Sequence, residues 1–416
     1  MSTTWTDLLW TDLLGHAHTA RVRSDALVSR SITIPRGDAV RGWAGSAPAS
    51  LAAGPDLVLV PDNAAARPNP WQPDTTIVFA DLHEQDGSPS ALCGRSTLKR
   101  ILGRLADDGL RVSCAAELEF YLLDPATRQP VYSDIENYSI TKGAEFEHLL
   151  VEVRNNLRPM DVTIEASNPE YSGGQFEVNI LHGPALLSAD RAILLRAAVR
   201  SLARRAGLEA TFMAKPWTDQ SGSGMHVHQS LWRGDVSIFH GGGHELSDEG
   251  RHYVAGLLRR MPEYTALGSP SPNAYHRRND YSFCPTVLCW GMDNRTLAIR
   301  AITGSPGSTR FEQRDAAAES NPYLVFAGQI AAGAEGLRDA IEPPPMTTGD
   351  AYANPDLVRL PRSLAEAHGL LRGSEAARAA LGAETVEAYL AMLQPEVDAA
   401  YGSASDWERA RYLLAV

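Results

Sequence analysis

Four short segments of the chain alternate ionisable and apolar residues with a period of two, the spacing that puts i and i+2 on one face of a β-strand. Ala116-Glu117-Leu118-Glu119-Phe120 sets two carboxylates together, with Leu118 and Phe120 opposite. Gln175-Phe176-Glu177-Val178-Asn179-Ile180 places Gln, Glu and Asn against Phe, Val and Ile. Met225-His226-Val227-His228-Gln229-Ser230 aligns two imidazoles and a hydroxyl, and Arg310-Phe311-Glu312-Gln313-Arg314 brackets one carboxylate with two guanidiniums. A strand with one solvated face would account for any one of these patterns. If the four share a sheet, their polar faces build one cavity rich in carboxylate, imidazole and guanidinium.

The rest of the pattern frames these strands. Brief apolar runs at residues 20–22, 31–34, 57–60 and 77–80, separated by Gly, Pro and Asp clusters, predict short strands and loops in the first ninety or so residues. Helical spacing of Leu98, Ile101, Leu102 and Leu105 follows, opened by Ser96 or Thr97 as N-cap and closed by Gly109. Further helices are expected from Ser188 to about Arg205, from Ser247 to about Met261, and from Pro322 to about Ala340. Pro343-Pro344-Pro345 stops the last of these, and the remaining seventy or so residues read as helical with Gly-rich joints. The class is α+β: a small β-rich N-terminal domain, residues 1–92, and a large mixed catalytic domain, residues 93–416.

Composition narrows the chemistry. The chain has 416 residues, 38 basic and 50 acidic, for a formal charge of −12. That balance disfavours nucleic acid, which needs a basic face to displace counterions. No apolar run of membrane-spanning length occurs, and the N-terminus lacks the basic start and cleavage site of a signal peptide. The four cysteines, Cys93, Cys114, Cys284 and Cys289, have neither metal-site spacing nor disulfide density, so a cytoplasmic protein is expected.

Clustered carboxylates repel one another unless a cation lies among them. Glu117, Glu119, Glu177, Glu312 and His226, joined by Glu170, form a hard, carboxylate-rich donor set that favours Mg²⁺ or Mn²⁺ over Zn²⁺. Arginines beside such acids imply an anionic ligand on the same ions, phosphate being the commonest. Metal-dependent phosphoryl chemistry is the expectation from spacing alone.

These residues resemble the glutamine synthetase family along nearly the whole chain, from Asp56-Leu-Val-Leu-Val-Pro-Asp62 to Trp407. The markers are Ala116-Glu-Leu-Glu-Phe120, Glu165-Ala-Ser-Asn-Pro-Glu170, Gly174-Gln-Phe-Glu177, Phe212-Met-Ala-Lys-Pro216, Gly222-Ser-Gly-Met-His-Val-His228, Asn294-Arg295, Arg310-Phe-Glu-Gln-Arg314 and Asn321-Pro-Tyr323. The resemblance implies a β-grasp N-terminal domain, a catalytic domain with a curved antiparallel sheet flanked by helices, and a dodecamer of two hexameric rings with active sites between adjacent subunits. It implies one divalent cation on Glu119, Glu170 and Glu177, and another on Glu117, His226 and Glu312. Glu165, His228 and Ser230 match positions that contact ATP. Arg295 and Arg300 match arginines on the phosphates, with Arg310 assisting, while Arg277 and Arg314 match those that hold glutamate's α-carboxylate. The Gly222 backbone would complete the amino-acid site.

Two acids of the ammonia-using enzymes are missing. One is an Asp in the N-terminal domain, where this chain reads Val40-Arg-Gly-Trp-Ala-Gly-Ser46; the other is a Glu whose place is taken by Phe283 in Arg277-Arg-Asn-Asp-Tyr-Ser-Phe-Cys-Pro285. A phenyl ring in place of a carboxylate removes charge attraction for ammonium and offers apolar contact. The chain therefore resembles the γ-glutamylamide synthetase branch, which joins glutamate to an organic amine through γ-glutamyl phosphate. A glutamine synthetase using ammonia and a non-catalytic ring-forming member are the alternatives. Trp43 reads either as a wall of the amine pocket or as a buried anchor, and Asp280 either as a base for the amine or as a turn residue. Gly307 stands where the family often has Lys near the nucleotide, and no loop bearing an adenylylated Tyr is recognisable.

Overall fold

The computed structural model describes residues 4–28, 31–43, 45, 47–72 and 74–415. Its N-terminal sheet consists of β1 (Trp5–Thr11), β2 (Ala17–Arg23), β3 (Ile32–Ile34), β4 (Leu57–Pro68) and β5 (Thr75–His83), in the order β2-β1-β5-β4-β3. β1 and β5 run parallel and the other neighbours antiparallel. Sequence pattern does not announce β1, and its burial gives the reason: every residue from Thr6 to Thr11 is buried, so neither face carries a solvent-facing polar repeat.

Helices α1 (Ala49–Ala52), α2 (Gly94–Asp107), α3 (Ile140–Leu157), α4 (Ala185–Arg205), α5 (Asp248–Gly268) and α6 (Pro322–Arg338) accompany a second, ten-stranded sheet. Its members are β6 (Leu110–Leu123), β7 (Ile164–Pro169), β8 (Gln175–Ile180), β9 (Gly183–Pro184), β10 (Glu209–Thr211), β11 (Met225–Arg233), β12 (Val236–Ser237), β15 (Trp290–Met292), β16 (Ile299–Ile302) and β17 (Arg310–Gln313). A separate hairpin pairs β13 (His240–Gly242) with β14 (Glu245–Leu246). The main path is β15-β16-β17-β11-β6-β8-β7, antiparallel except for β15 and β16. Apolar residues of the alternating strands, among them Leu118, Phe120, Phe176, Val178, Met225, Val227 and Phe311, are all buried. This leaves the polar alternates together on the opposite face.

Three helix boundaries differ from the pattern. Ser188 lies inside α4, which starts at Ala185, and its hydroxyl donates to the Cys114 carbonyl at 2.7 Å instead of capping the helix. Cys93 caps α2, its sulfur accepting from the Ser96 N–H at 3.4 Å, so Ser96 is a donor there and not the cap. α5 carries Pro262 within it and continues to Gly268. Beyond the prolines the chain runs back beside residues 286–288 before it is helical again: Leu288 N–H donates to the Val358 carbonyl at 2.8 Å, Leu360 N–H to that of Thr286 at 2.9 Å, and the next helix begins at Leu364.

The two sheets are joined by buried polar contacts. Arg95, only 3% exposed, reaches Asp190 of α4 at 2.9 Å, Asp81 of β5 at 2.9 Å and Asp62 of β4 at 3.0 Å. The Asn321 amide, at the start of α6, donates to the Leu13 carbonyl at 3.0 Å, and Arg196 of α4 donates to that of Gly15 at 3.1 Å. Gly15 has φ +86°, and a Cβ there would lie 2.7 Å from the Asn321 Cα. Only glycine permits that approach.

Candidate functional site

Ladder register brings the ionisable residues of the four strands into rows on one face. His226 of β11 lies opposite Glu117 of β6, which lies opposite Asn179 of β8. One row along, Glu119 faces Glu177, and Glu177 faces Asn168 of β7. On the other side His228 faces Glu312 of β17, and Glu312 faces Arg300 of β16. Residues directly opposite in an antiparallel pair share a face, so the period-two pattern and the register together concentrate the charge.

Short contacts link the rows. His226 Nδ1 is 3.3 Å from Glu117 and 3.6 Å from Glu312. Arg310 Nε–H donates to His228 Nδ1 at 3.1 Å, which leaves His228 Nε2 as the protonated nitrogen that donates to Glu117 Oε1 at 2.8 Å. Glu312, fully buried, is flanked by Arg300 at 3.0 Å and by Arg314. Glu119 accepts the Gly224 N–H at 2.6 Å, and Glu170 accepts from the Asn168 amide at 3.0 Å and from Tyr171 N–H at 3.2 Å.

The carboxylates divide electrostatically. Burial works to raise the Glu117 carboxyl, but hydrogen bonds from His226 and His228 outweigh it and hold Glu117 well below the usual range. Glu177 has no imidazole partner; burial and its neighbours Glu117, Glu119 and Glu170 outweigh a hydrogen bond from Asn179 and push its carboxyl up to about 9. Burial and then Glu119 raise Glu170 to about 7. Two sets of donor atoms lie within 4.8 Å of one another, Glu117–Glu177–His226 and Glu117–His228–Glu312. Gln175 Oε1 and Asn179 Oδ1, which share the β8 face with Glu177, are buried acceptors with no hydrogen-bond partner among the described residues. Clustered carboxylates whose repulsion a dication would relieve, beside acceptor oxygens that its bound waters would satisfy, fit divalent cations with oxygen ligands. Glu119 and Glu170 line the same cavity but stand outside the two tight sets, drawn aside by the N–H groups named above.

Two cavities follow one another along this face. The first, about 170 Å³, is lined by Glu119, Glu170, Glu177, His226, Gly222, Arg277, Arg295 and Arg314, with Tyr138, Tyr171 and Phe283 among its remaining walls. The second, about 250 Å³, is lined by Glu117, Asn179, Glu165, His228, Ser230, Gly307 and Arg310. Along β6 the order is Ser113, Ala115 and Glu117 in the second cavity, then Glu119 in the first. The Glu117–His226 row therefore marks the junction.

Glycines shape the first cavity. A Cβ on Gly222 would fall 2.4 Å from Arg277 Cγ, and one on Gly224 would fall 2.7 Å from Arg277 Nη2. Arg277 is 4% exposed and donates to the Ala316 carbonyl at 3.1 Å, while its Nε has no partner among the described residues.

Three expected residues lie elsewhere or face otherwise. Asp280 is bound by Arg359 at 2.6 and 3.0 Å and by the Thr286 hydroxyl at 2.5 Å, and it lines a different depression with Arg278 and Arg362. That is the turn-residue reading; the loop turns this carboxylate away from the site. Trp43 is 36% exposed, lines neither cavity, and meets His16 edge-on at 4.9 Å, so within this chain it is neither a wall of the pocket nor a buried anchor. In the loop that carries it, Ala44 and Ser46 lie outside the described residues. Arg300 lines neither cavity and pairs with Glu312 and Asp293. Phe283 does line the first cavity, with its ring against that of Tyr171 at 5.1 Å. Sequence reading missed Tyr171 and Tyr138. Tyr171 directly follows the motif acid Glu170, which was the available signal.

A family model described as the catalytic domain of glutamine synthetase matches residues 91–412. The glutamate–isopropylamine ligase of a Pseudomonas species is 35% identical over 376 residues, spanning 86% of this chain and 82% of that protein. The γ-glutamylethanolamide synthetase GlnA4 of Streptomyces coelicolor is 35% identical over 373 residues, spanning 86% and 79%. A solved structure described as a GmaS/ADP complex superposes with a TM-score of 0.89 at 27% identity, over 99% of this chain and 97% of that one. With its two-sheet fold and its anionic strand face, the chain belongs to the glutamine synthetase family.

Proposed function

We propose that the protein is an ATP-dependent carbon–nitrogen ligase that joins the γ-carboxylate of glutamate to an organic amine, through γ-glutamyl phosphate, giving a γ-glutamylamide, ADP and phosphate. The observation that carries this reading is the pair of cavities meeting at the Glu117–His226 row. An acid substrate in one and a nucleoside triphosphate in the other bring carboxylate and γ-phosphate together at the junction. The relatives described as amine ligases, and the ADP complex of a close structural neighbour, support the same assignment.

Position in the two cavities supports the residue roles of this reading. Arg277 and Arg314 present guanidiniums to a carboxylate in the first cavity, and the Gly222 backbone lies beside them. Glu165, His228, Ser230 and Arg310 line the place for the nucleotide. Arg295, exposed at the mouth of the first cavity, meets the phosphoryl group as it transfers and its charge as it leaves. Arg300 acts through Glu312, holding that carboxylate in place. Glu119, Glu170 and Glu177 would hold one divalent cation, and Glu117, His226 and Glu312 another, as Mg²⁺ or Mn²⁺. When bound, such ions neutralise phosphoryl oxygens during in-line transfer. Phe283 replaces charge with apolar surface where the amine enters.

The finer reading has residues 1–92 as a β-grasp domain, residues 93–416 as the catalytic domain, and twelve subunits in two hexameric rings, with Trp43 acting at a neighbouring subunit's site. No helix among the described residues is long and apolar enough to cross a membrane. The four buried, unpaired cysteines support a cytoplasmic setting. Phosphate release with glutamate, ATP, Mg²⁺ and a panel of amines tests the assignment, with mass spectrometry of the product. Turnover with ammonia alone would assign a glutamine synthetase instead, and no turnover with any amine would assign a non-catalytic member.

A further inference from the structure

We propose that His16, held by Asp12, is the base that takes a proton from the amine in the active site of the neighbouring subunit. This deepens the ligase reading above and rests on it, including its ring assembly with sites between adjacent subunits. Asp12 directly follows β1 and is fully buried. One of its carboxylate oxygens accepts the N–H groups of Leu14 at 3.0 Å and His16 at 2.9 Å. The other lies 2.9 Å from His16 Nδ1 and 3.3 Å from His18 Nε2. Burial works to raise this carboxyl, but hydrogen bonds from His16 and His18 outweigh it and hold it below the usual range. An ionised carboxylate fixes His16 Nδ1 as the protonated nitrogen. That leaves Nε2, unpartnered among the described residues, with a free lone pair. A buried carboxylate, an imidazole oriented by it and an open Nε2 are the parts of a general base. The imidazole is 31% exposed, and the Trp43 ring stands nearly at right angles to it at 4.9 Å. The base therefore sits beside the residue already read as acting on a neighbouring subunit.

His16 and Asp12 line neither cavity of their own chain, and the first cavity lacks what they offer. Among the described residues, its carboxylates and its imidazole are Glu119, Glu170, Glu177 and His226, all in the proposed cation cluster. Asp280 is engaged with Arg359. An alkylamine is an ammonium ion at neutral pH and must lose a proton before its nitrogen can attack. In the assembled ring, His16 of one subunit supplies that step to the next. Nε2 takes one proton from the ammonium, and the freed lone pair bonds to the γ-acyl carbon. The carbon–oxygen bond to phosphate then breaks, and the second proton on nitrogen leaves with phosphate or to water. Asp12 stabilises the imidazolium until it releases its proton to water. The charged and titratable groups around His16 are Asp12, His18 and, across Gly15, Arg196, which donates to the Gly15 carbonyl and lies in the field of Asp12.

The test uses the full assembled chain with glutamate, ATP and Mg²⁺. It compares isopropylamine, ethanolamine and 1,4-diaminobutane, which arrive as cations, with hydroxylamine, which is largely uncharged at neutral pH and needs no base before it attacks. His16→Asn keeps an N–H for Asp12 and removes the basic nitrogen, and His16→Gln serves as a second variant. At neutral pH both are expected to lower kcat/KM for the best cationic amine by about 100-fold or more, with hydroxamate formation within about twofold of the unsubstituted protein. The deficit should shrink by about tenfold per pH unit on the alkaline side, as free amine forms without the enzyme's help. Co-expression of His16→Asn with Glu312→Gln, each deficient alone, should restore about a quarter of the original rate, the chance in a mixed ring that an intact His16 faces an intact Glu312. An equal fall of amide and hydroxamate in both His16 variants, a deficit that does not change with pH, or no restoration in mixed assemblies would overturn the proposal. So would turnover of hydroxylamine with no cationic amine accepted. Absence of every product, hydroxamate included, defeats the ligase reading itself.

Discussion

Gly222→Ala tests whether Arg277 holds the acid substrate. The substitution adds one carbon, and Gly222 is not among the positive-φ glycines, so the backbone accepts it. The space does not. The new Cβ would lie 2.4 Å from Arg277 Cγ, 3.1 Å from its Cδ and 2.9 Å from the Ala214 carbonyl oxygen. The Ala214 carbonyl is fixed by Ser223 N–H at 2.8 Å, so the Arg277 side chain must yield. A normal carbon–carbon contact of about 3.5–4.0 Å requires a shift of more than about 1 Å. That displaces a guanidinium which is 4% exposed and anchored on Ala316. Loss of one hydrogen bond to a charged group costs about 1.5–3 kcal/mol, or about 10- to 150-fold in the affinity for glutamate at 1.4 kcal/mol per decade. Overpacking should also cost about 1–3 kcal/mol of stability. The assay is steady-state phosphate release with glutamate varied at saturating ATP, then ATP varied at saturating glutamate. A rise of at least about tenfold in the KM for glutamate, with the KM for ATP within about twofold, is expected because the nucleotide cavity is lined by other residues. An unchanged KM for glutamate in a folded variant, or equal rises in both constants, would refute the placement of Arg277. Gly103→Ala is the control: nothing lies within 4 Å of its added carbon, in the middle of α2, and the variant should be more stable by about 0.4–1 kcal/mol.

Further outcomes follow from the same site. The metal-free fold should lose stability as pH rises from about 4.5 toward about 9, because Glu177 keeps its proton in the folded state while the unfolded chain has already released it. Mg²⁺ should therefore raise the melting temperature more at pH 8.5 than at pH 6 and release protons on binding, measurable by calorimetry in buffers of different ionisation enthalpy. A pH-independent Mg²⁺ effect would contradict the carboxylate cluster. Asp280→Asn should leave the amine profile unaltered and cost less than about 1 kcal/mol in urea denaturation, since its ion pair with Arg359 is largely solvent-exposed; loss of amine turnover would return Asp280 to the site. Phe283→Glu should shift preference toward ammonium, checked by competing ammonium against aniline, and an unchanged ratio would remove Phe283 from the amine position.

The period-two segments were readable because a strand with one polar and one apolar face writes its burial into the sequence. What they could not state was register. The pattern proposes that Glu117, His226 and Glu312 meet, but only the ladder makes His226 face Glu117 and His228 face Glu312. Asp280 shows the limit for loops. Three residues from Phe283 in sequence, it is turned outward by a distant partner, Arg359, that no local pattern signals. Likewise Ser188 has the chemistry of a cap but sits within a helix, since its hydroxyl finds the Cys114 carbonyl. β1 was silent for the opposite reason, both its faces being covered.

Arg95, Asn321 and Arg196 also bear on how the chain can be cut. Residues 91–412 contain the whole anionic face, and an expression fragment of that span looks self-sufficient on paper. It would leave Arg95 without Asp62 and Asp81, and would strip the carbonyls of Leu13 and Gly15 from side chains that are otherwise buried. The N-terminal sheet is thus not a detachable cap, and heating the intact protein should produce one calorimetric peak in which both sheets melt together.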